Sequence, residues 1–269
     1  MNSAKGLDLI EIQSQLLPEM LASPGDLVVF ETIGSTNDWA LGQCRNMDGL
    51  PKACIAEKQL AGRGRNQRHW YSPYAQNIYM SYVREFKCSL DQLYGLGMIA
   101  GICIVRVLAS LGIRSGLKWP NDVYTDTGKI VGILVETRVR SHSSICAVIG
   151  CGLNYDMADQ PGIEIDTAWT DIQKELNCKC DFERSVIAGR LLKEIILACE
   201  QLADSGFESF RDEWQQNDLC MGKMLDVYEG DSLIQGRYLG INKHGALRLQ
   251  VDETEKVFYA ADVSIRVKK

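Results

Sequence analysis

The sequence predicts an α+β protein: a mixed sheet with helices packed on one side of it, followed by a small all-β domain. Up to about residue 217, short strand patterns are mixed with helical ones, which is typical of α+β folds. Beyond residue 219, short strands recur at roughly 8–12-residue spacing between glycines, as in a small barrel. We therefore expect domains at 25–219 and 220–269, after a short N-terminal segment at 1–24.

The strands are expected where apolar or alternating runs are bounded by turn residues. In the larger domain they lie at 28–30, 53–56, 77–83, 117–119, 129–137 and 145–150. In the small domain they lie at 225–228, 233–239, 246–251, 257–259 and 263–267. Between two of them, the Pro-Asn-Asp segment at 120–122 predicts a turn.

The helices are expected where apolar residues recur at helical spacing. An amphipathic pattern covers 7–21, where Pro18 interrupts it. The segment Ser-Thr-Asn-Asp at 35–38 is an N-cap cluster and begins the next helix. Further helices are expected at 93–111, 171–176, 183–202 and 206–217.

Composition and charge exclude several classes of protein. The net charge of −6 argues against a broadly basic nucleic-acid-binding protein. No apolar run reaches the length of a membrane-spanning helix. Cysteines within apolar stretches are typical of free thiols in a reduced, cytoplasmic protein; they are Cys54, Cys103, Cys146, Cys151 and Cys199.

The sharpest chemical feature is the segment 62–70, Gly-Arg-Gly-Arg-Asn-Gln-Arg-His-Trp. Glycine lets a backbone approach a ligand closely, and arginine supplies forked donors for anions. The segment fits a mobile loop that closes over an anion, although a solvated surface loop has the same composition. It is neither a Walker loop, which ends in Lys-Ser or Lys-Thr, nor a Rossmann fingerprint, which needs a third glycine.

Other polar clusters lie at the ends of predicted strands. Lys-Trp-Pro-Asn-Asp at 118–122 precedes Gly-Lys at 128–129, and Gly132 in mid-strand indicates a bulge or the close approach of a ligand. Gly-Cys-Gly-Leu-Asn at 150–154 ends the next strand. Singly, each cluster also fits a turn, a solvated strand end or, at 35–37, an ordinary helix cap.

The order of these clusters is more specific than any one of them. The Ser-Thr-Asn cap, Gln59 with the Gly-Arg loop, Lys-Trp-Pro-Asn-Asp, Gly-Lys-x-x-Gly, Gly-x-Gly-x-Asn and a small barrel together resemble the biotin protein ligases. The resemblance implies a catalytic domain similar to class II aminoacyl-tRNA synthetases and an SH3-like C-terminal barrel. It also implies ATP-dependent formation of biotinoyl-5′-AMP, then transfer of biotin to one lysine of the biotin carboxyl carrier protein of acetyl-CoA carboxylase.

The same resemblance implies roles for individual residues. The biotin-binding positions are Ser35, Thr36, Asn37, Gln59, Gly62, Arg63, Gly64, Arg65, Lys129 and Gly132. The ATP- or adenylate-binding positions are Arg65, Arg68, Trp70, Lys118, Asn121, Asp122, Lys129, Asn154, Trp169 and Arg266. Lys129, Arg65 and Lys118 are the expected catalytic residues. Trp169 ends a segment, 157–170, that resembles the loop ordered over adenine.

ATP and Mg²⁺ are the expected cofactors and biotin the expected substrate, with Asp122 a candidate water-mediated contact of Mg²⁺. Asn66 and Gln67 replace an arginine and a glycine of the family's loop, which bears on its flexibility and charge. The N-terminal segment is too short for the DNA-binding domain of some family members. We therefore expect no operator binding and no nucleic-acid or membrane partner; monomer and homodimer both stay open.

Three other functions remain open at this point. A lipoate-protein ligase would share the two-step logic, although Gln59 and the Gly-Arg loop favour biotin. A biotin-sensing regulator without ligase activity would have no use for Lys118 and Lys129. An RNA-binding protein would use the arginine loop and the barrel, and the net charge of −6 disfavours it.

Overall fold

The computed structural model describes residues 6–21, 23–45, 51–141, 143–157, 165, 167–177, 183–260 and 263–267. Its larger sheet consists of β1 (Leu27–Phe30), β2 (Lys52–Ala56), β3 (Asn77–Phe86), β4 (Gly116–Lys118), β5 (Asp122–Tyr124), β6 (Lys129–Ser141) and β7 (Ser144–Asn154). The strands pair in the order β1-β2-β3-β7-β6-β5-β4. β1 and β2 are parallel and the other neighbours antiparallel, so the predicted mixed sheet is confirmed.

β5 is the strand that the sequence did not predict. The chain turns at Pro120 and Asn121, as expected, but Asp122 already pairs with Lys118 on β4 and with Gly132 on β6. A strand of three residues is too short to show a period distinct from that of a turn. The pairing places Asp122 opposite Gly132, where its carboxylate is 2.7 Å from Lys129 Nζ.

The helices are α1 (Leu9–Gln13), α2 (Thr36–Gln43), α3 (Leu96–Ser110), α4 (Ile172–Leu176), α5 (Arg184–Ser205) and α6 (Glu208–Gln216). α1 is much shorter than the pattern over 7–21 predicts. The Asp8 carboxylate caps its start by accepting from the Ile10 N–H at 2.8 Å, and the helix ends at Gln13, before Pro18.

The helices lie on both faces of the larger sheet, not on one as predicted. Along β7, Ala147 and Ile149 pack into the main core with α3 and α5, whereas Cys146 and Val148 pack against α2. Successive side chains of a strand point to opposite faces, but the sequence does not show which helix covers which face. α2 and its N-cap therefore lie on the second face, which carries the candidate site.

Cys44 and Cys146 form a disulfide, so the prediction that Cys146 is a free thiol is wrong. Packing of α2 on β7 brings the two Cα atoms to 5.8 Å, although the residues are 102 positions apart. That separation hides the pair from a reading of the sequence. The other cysteines expected as free thiols are free and buried: Cys54, Cys103, Cys151 and Cys199.

The stretch 90–110, which ends with α3, is long and apolar enough to count as a candidate membrane span, which the sequence reading did not anticipate. Within the protein, 72% of its most apolar window is buried. α3 packs against α5, α6 and the larger sheet. This burial is that of a core helix.

The N-terminal segment packs against the larger unit. Ile12 is fully buried, and α1 contacts α5 and β1. The Leu7 N–H donates to the Glu57 carboxylate, which also forms a buried ion pair with Arg184 at 2.8 Å. The segment is thereby attached to the end of β2.

The smaller sheet consists of β8 (Met224–Glu229), β9 (Ser232–Ile241), β10 (Leu247–Val251), β11 (Thr254–Phe258) and β12 (Val263–Val267). They pair antiparallel in the order β11-β10-β9-β8-β12. Trp119 joins the two sheets by donating its Nε1–H to the Gly245 carbonyl at 3.0 Å. The five predicted strands are present; closure into an SH3-like barrel and the boundary near residue 219 stay predictions.

Candidate active site

Three glycines form the floor of the candidate site on the α2 face of the sheet. Gly132 on β6 pairs with Gly152 on β7, and the Trp70 ring lies over both. A Cβ added at Gly132 would lie 2.8 Å from Trp70 Cζ3, and one at Gly152 would lie 2.5 Å from Nε1. At Gly150 a Cβ would lie 2.0 Å from Asn37 Oδ1. At Gly132 the approaching group is the side chain of Trp70, and the approach of a ligand stays a prediction.

The Ser-Thr-Asn cap and Gln59 meet at one side of this floor. Ser35 Oγ caps α2 by accepting from the Asp38 N–H at 3.4 Å. Thr36 donates to Gln59 Oε1 from its backbone N–H at 2.9 Å and from its hydroxyl at 3.1 Å. Gln59 Nε2 donates to Ser72 Oγ at 3.2 Å. The structure thus brings together residues 24 positions apart that the resemblance had assigned to one ligand.

Asn37 is held by two residues that the sequence reading missed. Ser81 on β3 donates its hydroxyl to Asn37 Oδ1 at 2.6 Å, and Asn37 Nδ2 donates to Glu136 Oε2 on β6 at 2.8 Å. A signal existed for Glu136, because residues 132, 134 and 136 of one strand share a face. No such signal existed for Ser81, because its position opposite β7 depends on how distant strands pair.

The Gly-Arg loop is bound to the same group of residues through its first arginine. Arg63 Nη2 lies 2.9 Å from both Glu136 oxygens, and Nη1 lies 2.7 Å from Asp38 Oδ1. Gly62 is needed at the base of the loop because a Cβ there would lie 2.7 Å from the Trp70 carbonyl oxygen. A cavity of about 200 Å³ lies between the loop and β6, lined by Arg63, Gly64, Arg65, Asn66, Gln67, Leu134 and Glu136.

The tip of this loop, Arg65–Gln67, is a tight turn that the Arg68 N–H closes by donating to the Arg65 carbonyl at 3.2 Å. Asn66 and Gln67 have φ values of 54° and 57°, in the left-handed region that favours glycine. These are the two positions at which the loop departs from the family pattern. The loop therefore adopts a glycine-like backbone without a glycine at its tip.

The cationic side of the site is centred on Lys129. Its Nζ lies 2.7 Å from Asp122 Oδ1 and 5.3 Å from the centroid of the Trp70 ring. Lys118 faces Asp122 across the β4–β5 ladder, with its Nζ 5.2 Å from the Tyr124 ring centroid. Lys129 thus contacts the Asp122 carboxylate directly, and Lys118 lies on the neighbouring strand, opposite Asp122 in register.

Arg65 and Arg68 complete this cationic side. Burial lowers the pKa of the Arg65 guanidinium from its ordinary value; Asp122 opposes that shift, and Arg68 adds to it. Arg65 Nη2 donates to the carbonyl oxygens of Ala260 and, at 3.1 Å, Val263. Arg65 thus contacts the smaller sheet, while the Arg68 side chain is exposed.

Trp169 lies against Lys129 through its backbone. The Lys129 N–H donates to the Ala168 carbonyl at 2.9 Å, and the Thr170 N–H donates to the Lys129 carbonyl at 3.0 Å. Asn154 Nδ2 supports this pairing by donating to the Thr170 carbonyl at 3.0 Å. Much of the predicted adenylate loop, at 158–164 and 166, lies outside the described residues.

Two predicted nucleotide contacts are placed differently from the rest. Asn121 uses its side-chain N–H to bind the Ile133 carbonyl, so this donor fixes β6. Arg266 lies exposed on β12, with its guanidinium 5.3 Å from the Tyr228 ring centroid. Their contacts with a nucleotide stay predictions.

In the part of the chain that the structure describes, no three His, Cys, Asp or Glu side chains lie close enough together to hold a metal ion. That is compatible with Mg²⁺, which is usually held by one or two carboxylates together with substrate phosphates. Asp122 is the carboxylate that faces the cationic side of the site. The donor set therefore fits a metal ion that enters with ATP.

Comparison with known proteins places these features in one family. The model of the biotin/lipoate A/B protein ligase family matches residues 29–154. The bifunctional ligase/repressor BirA of Escherichia coli is 32% identical over 246 residues, covering 90% of this chain and 74% of that protein. The biotin–[acetyl-CoA-carboxylase] ligase of Mycobacterium tuberculosis is 31% identical over 245 residues, covering 88% and 87%.

The chain belongs to the biotin protein ligase family. A solved biotin protein ligase from Aquifex aeolicus, in complex with biotin and ATP, is similar in fold, with a TM-score of 0.71 and 24% identity over 90% of this chain and 99% of that one. In this member of the family, residues 35–37, Gln59 and the Gly-Arg loop lie on the α2 face of the sheet.

Proposed function

We propose that this chain is a biotin protein ligase that activates biotin with ATP and transfers it to a lysine of the biotin carboxyl carrier protein of acetyl-CoA carboxylase. The observation that carries the proposal is one polar network, Gln59–Thr36–Ser81–Asn37, in which the single hydroxyl hydrogen of Ser81 lies within reach of both Thr36 Oγ1 and Asn37 Oδ1. It borders the glycine floor whose covering ring, Trp70, lies against Lys129. Polar groups that could bind the biotin ring are thus adjacent to Lys129, a cation that could bind the biotin carboxylate.

The network suits a ureido group, which has one carbonyl acceptor between two N–H donors. Ser35 Oγ accepts from a backbone N–H, so its hydroxyl hydrogen is available for the ureido carbonyl. Gln59 Nε2 has a second hydrogen beyond the one given to Ser72. Asn37 Oδ1, lying against Gly150, would accept from a ureido N–H.

The first step joins two anions. A biotin carboxylate oxygen attacks the α-phosphorus of ATP, the bond to the β-phosphate oxygen breaks, and pyrophosphate leaves. Lys129 would neutralise the carboxylate and the α-phosphate, and Lys118, Arg65 and Arg68 would neutralise the remaining phosphate charge. Positioning and charge neutralisation supply the catalysis, since in-line displacement needs no nucleophile from the protein.

Mg²⁺ would supply further neutralisation of the phosphates, and Asp122 would contact it through water. Asp122 is paired with Lys129 at 2.7 Å. This pairing keeps the lysine in place before the anionic substrates arrive.

The second step makes the amide. The neutral amine of the carrier lysine attacks the acyl carbon of biotinoyl-5′-AMP, the bond to the phosphate oxygen breaks, AMP leaves, and the amine proton passes to solvent. Lys129 would stabilise the charge that develops on the acyl oxygen. The Gly-Arg loop, lying over the site, would keep water from the reactive anhydride.

The test is pyrophosphate release from ATP and Mg²⁺ with biotin, lipoate and octanoate in parallel. We expect release with biotin alone. Release with lipoate instead would keep the mechanism and change the substrate, and no release with any acid would leave a biotin-binding protein without ligase activity.

A further inference from the structure

We propose that Glu136 is a positioning residue with two linked tasks: it fixes the orientation of the Asn37 amide and it holds the Gly-Arg loop through Arg63. The proposal rests on the function proposed above. Glu136 lies on β6, on the same face as Gly132, and belongs to none of the sequence motifs that mark the site.

The first task follows from the donors and acceptors around Asn37. A carboxylate only accepts hydrogen bonds, so the group of Asn37 that faces Glu136 at 2.8 Å must be Nδ2. The second hydrogen of Nδ2 points to the Leu134 carbonyl at 3.3 Å. Both amide donors are therefore used within the protein. Oδ1 accepts from the Ser81 hydroxyl at 2.6 Å, and its second lone pair is the part of the amide left to accept an N–H of a ligand.

The second task follows from the bidentate contact with Arg63. Arg63 Nη2 lies 2.9 Å from Oε1 and from Oε2 of Glu136, and the Arg63 side chain is only 17% exposed. Because Arg63 stands between Gly62 and Gly64, its contacts are the side-chain anchors of this stretch. They are the ion pair with Asp38 at 2.7 Å and the contact with Glu136, which is the bidentate one. One carboxylate thus joins the ligand-binding amide to the loop.

An ordinary surface ion pair would explain only part of this geometry. Glu136 is 28% exposed, and an exposed pair by itself contributes little to stability. A merely structural role would change the urea midpoint and leave the KM for biotin unaltered. If Glu136 has the proposed role, its substitution raises the KM for biotin while the urea midpoint changes little.

The decisive variant is Glu136→Gln, which keeps the shape of the side chain but removes its charge and allows the Asn37 amide to flip. The matched control is Glu85→Gln, which breaks another arginine–carboxylate contact of the same sheet, Arg140 Nη1 to Glu85 Oε2 at 2.9 Å. We expect Glu136→Gln to raise the KM for biotin by about tenfold or more, as for lost hydrogen bonds to a charged group, with the KM for ATP unchanged. Glu136→Asp should restore part of the affinity.

Trypsin cleavage after the loop arginines gives a readout that does not depend on activity. Without ligand, Glu136→Gln should be cut faster in the loop than the wild type and Glu85→Gln, because Arg63 has lost its bidentate partner and keeps only the pair with Asp38. Equal cutting rates together with an unchanged KM for biotin would overturn the proposal, as would an equal rise of the KM in Glu85→Gln. If the wild type itself released no pyrophosphate with biotin, the proposed function would fail separately, and the trypsin comparison would still decide whether Glu136 anchors the loop.

Discussion

Replacing Gly150 with alanine tests whether the lack of a side chain at this position is needed to place the Asn37 amide for biotin binding. The added Cβ would lie 2.0 Å from Asn37 Oδ1 and 2.8 Å from Cγ, closer than atoms can approach. Because Gly150 lies in the middle of β7, paired with Ser81 and Leu134, the backbone cannot easily yield. The Asn37 side chain must move instead.

The cost can be worked from the bonds that Asn37 would lose. They join Oδ1 to Ser81 at 2.6 Å and Nδ2 to Glu136 at 2.8 Å. A neutral hydrogen bond contributes about 1 kcal/mol and one to a charged group about 1.5–3 kcal/mol, so displacement costs about 3 kcal/mol. That cost lowers the stability of the fold. Biotin affinity loses the proposed hydrogen bond from a ureido N–H to Asn37 Oδ1, about 1 kcal/mol, so at about 1.4 kcal/mol per factor of ten it should fall by about fivefold.

The assay is isothermal titration of biotin into the purified variant, with urea unfolding as the check on the fold. Gly34→Ala is the matched control, since Gly34 adjoins Ser35 and a Cβ there meets nothing within 4 Å. A Gly150→Ala protein that binds biotin as tightly as Gly34→Ala would refute the reasoning about Asn37.

Three further changes follow from the same geometry. Lys129→Ala should abolish biotin-dependent pyrophosphate release without unfolding the protein, because the cation between carboxylate and α-phosphate is lost; release at the wild-type rate would contradict this. Arg65→Gly should speed the loss of bound biotinoyl-5′-AMP more than it slows its synthesis, because it removes the loop arginine that we propose to bind the phosphates; a filter-binding chase that gives equal dissociation rates would count against it. Reduction of Cys44–Cys146, which closes a span of 102 residues, should lower the free energy of unfolding by about 2–4 kcal/mol, and identical urea curves with and without reductant would exclude such a contribution.

The sequence predicted most of the fold because its elements are marked locally. The cap at Ser35, the alternation of β3 and the apolar face of α3 can each be read from neighbouring residues. β5 and α1 were misjudged because three or five residues carry too little pattern. Which helices cover which face of the sheet, and the pairing of Cys44 with Cys146, depend on packing between distant segments. No local sequence pattern reports such packing.

The site divides in the same way. The Gly-Arg loop, Lys129 and Gly132 stand in motifs, and the structure brings them together. Ser81 and Glu136 stand in no motif, because they act by binding Asn37 and Arg63 rather than by belonging to a loop of special composition. Residues that position other side chains are thus identified from strand register and hydrogen bonds in the structure, not from sequence motifs.

The most direct test of the account is transfer of biotin to a carrier domain. The protein would be incubated with biotin, ATP, Mg²⁺ and the carrier domain of acetyl-CoA carboxylase, and the carrier would be weighed intact by mass spectrometry. The account predicts that the carrier gains the mass of one biotinoyl group and that a carrier with its acceptor lysine changed to arginine gains nothing. A carrier of unchanged mass, from a protein that binds biotin, would contradict it.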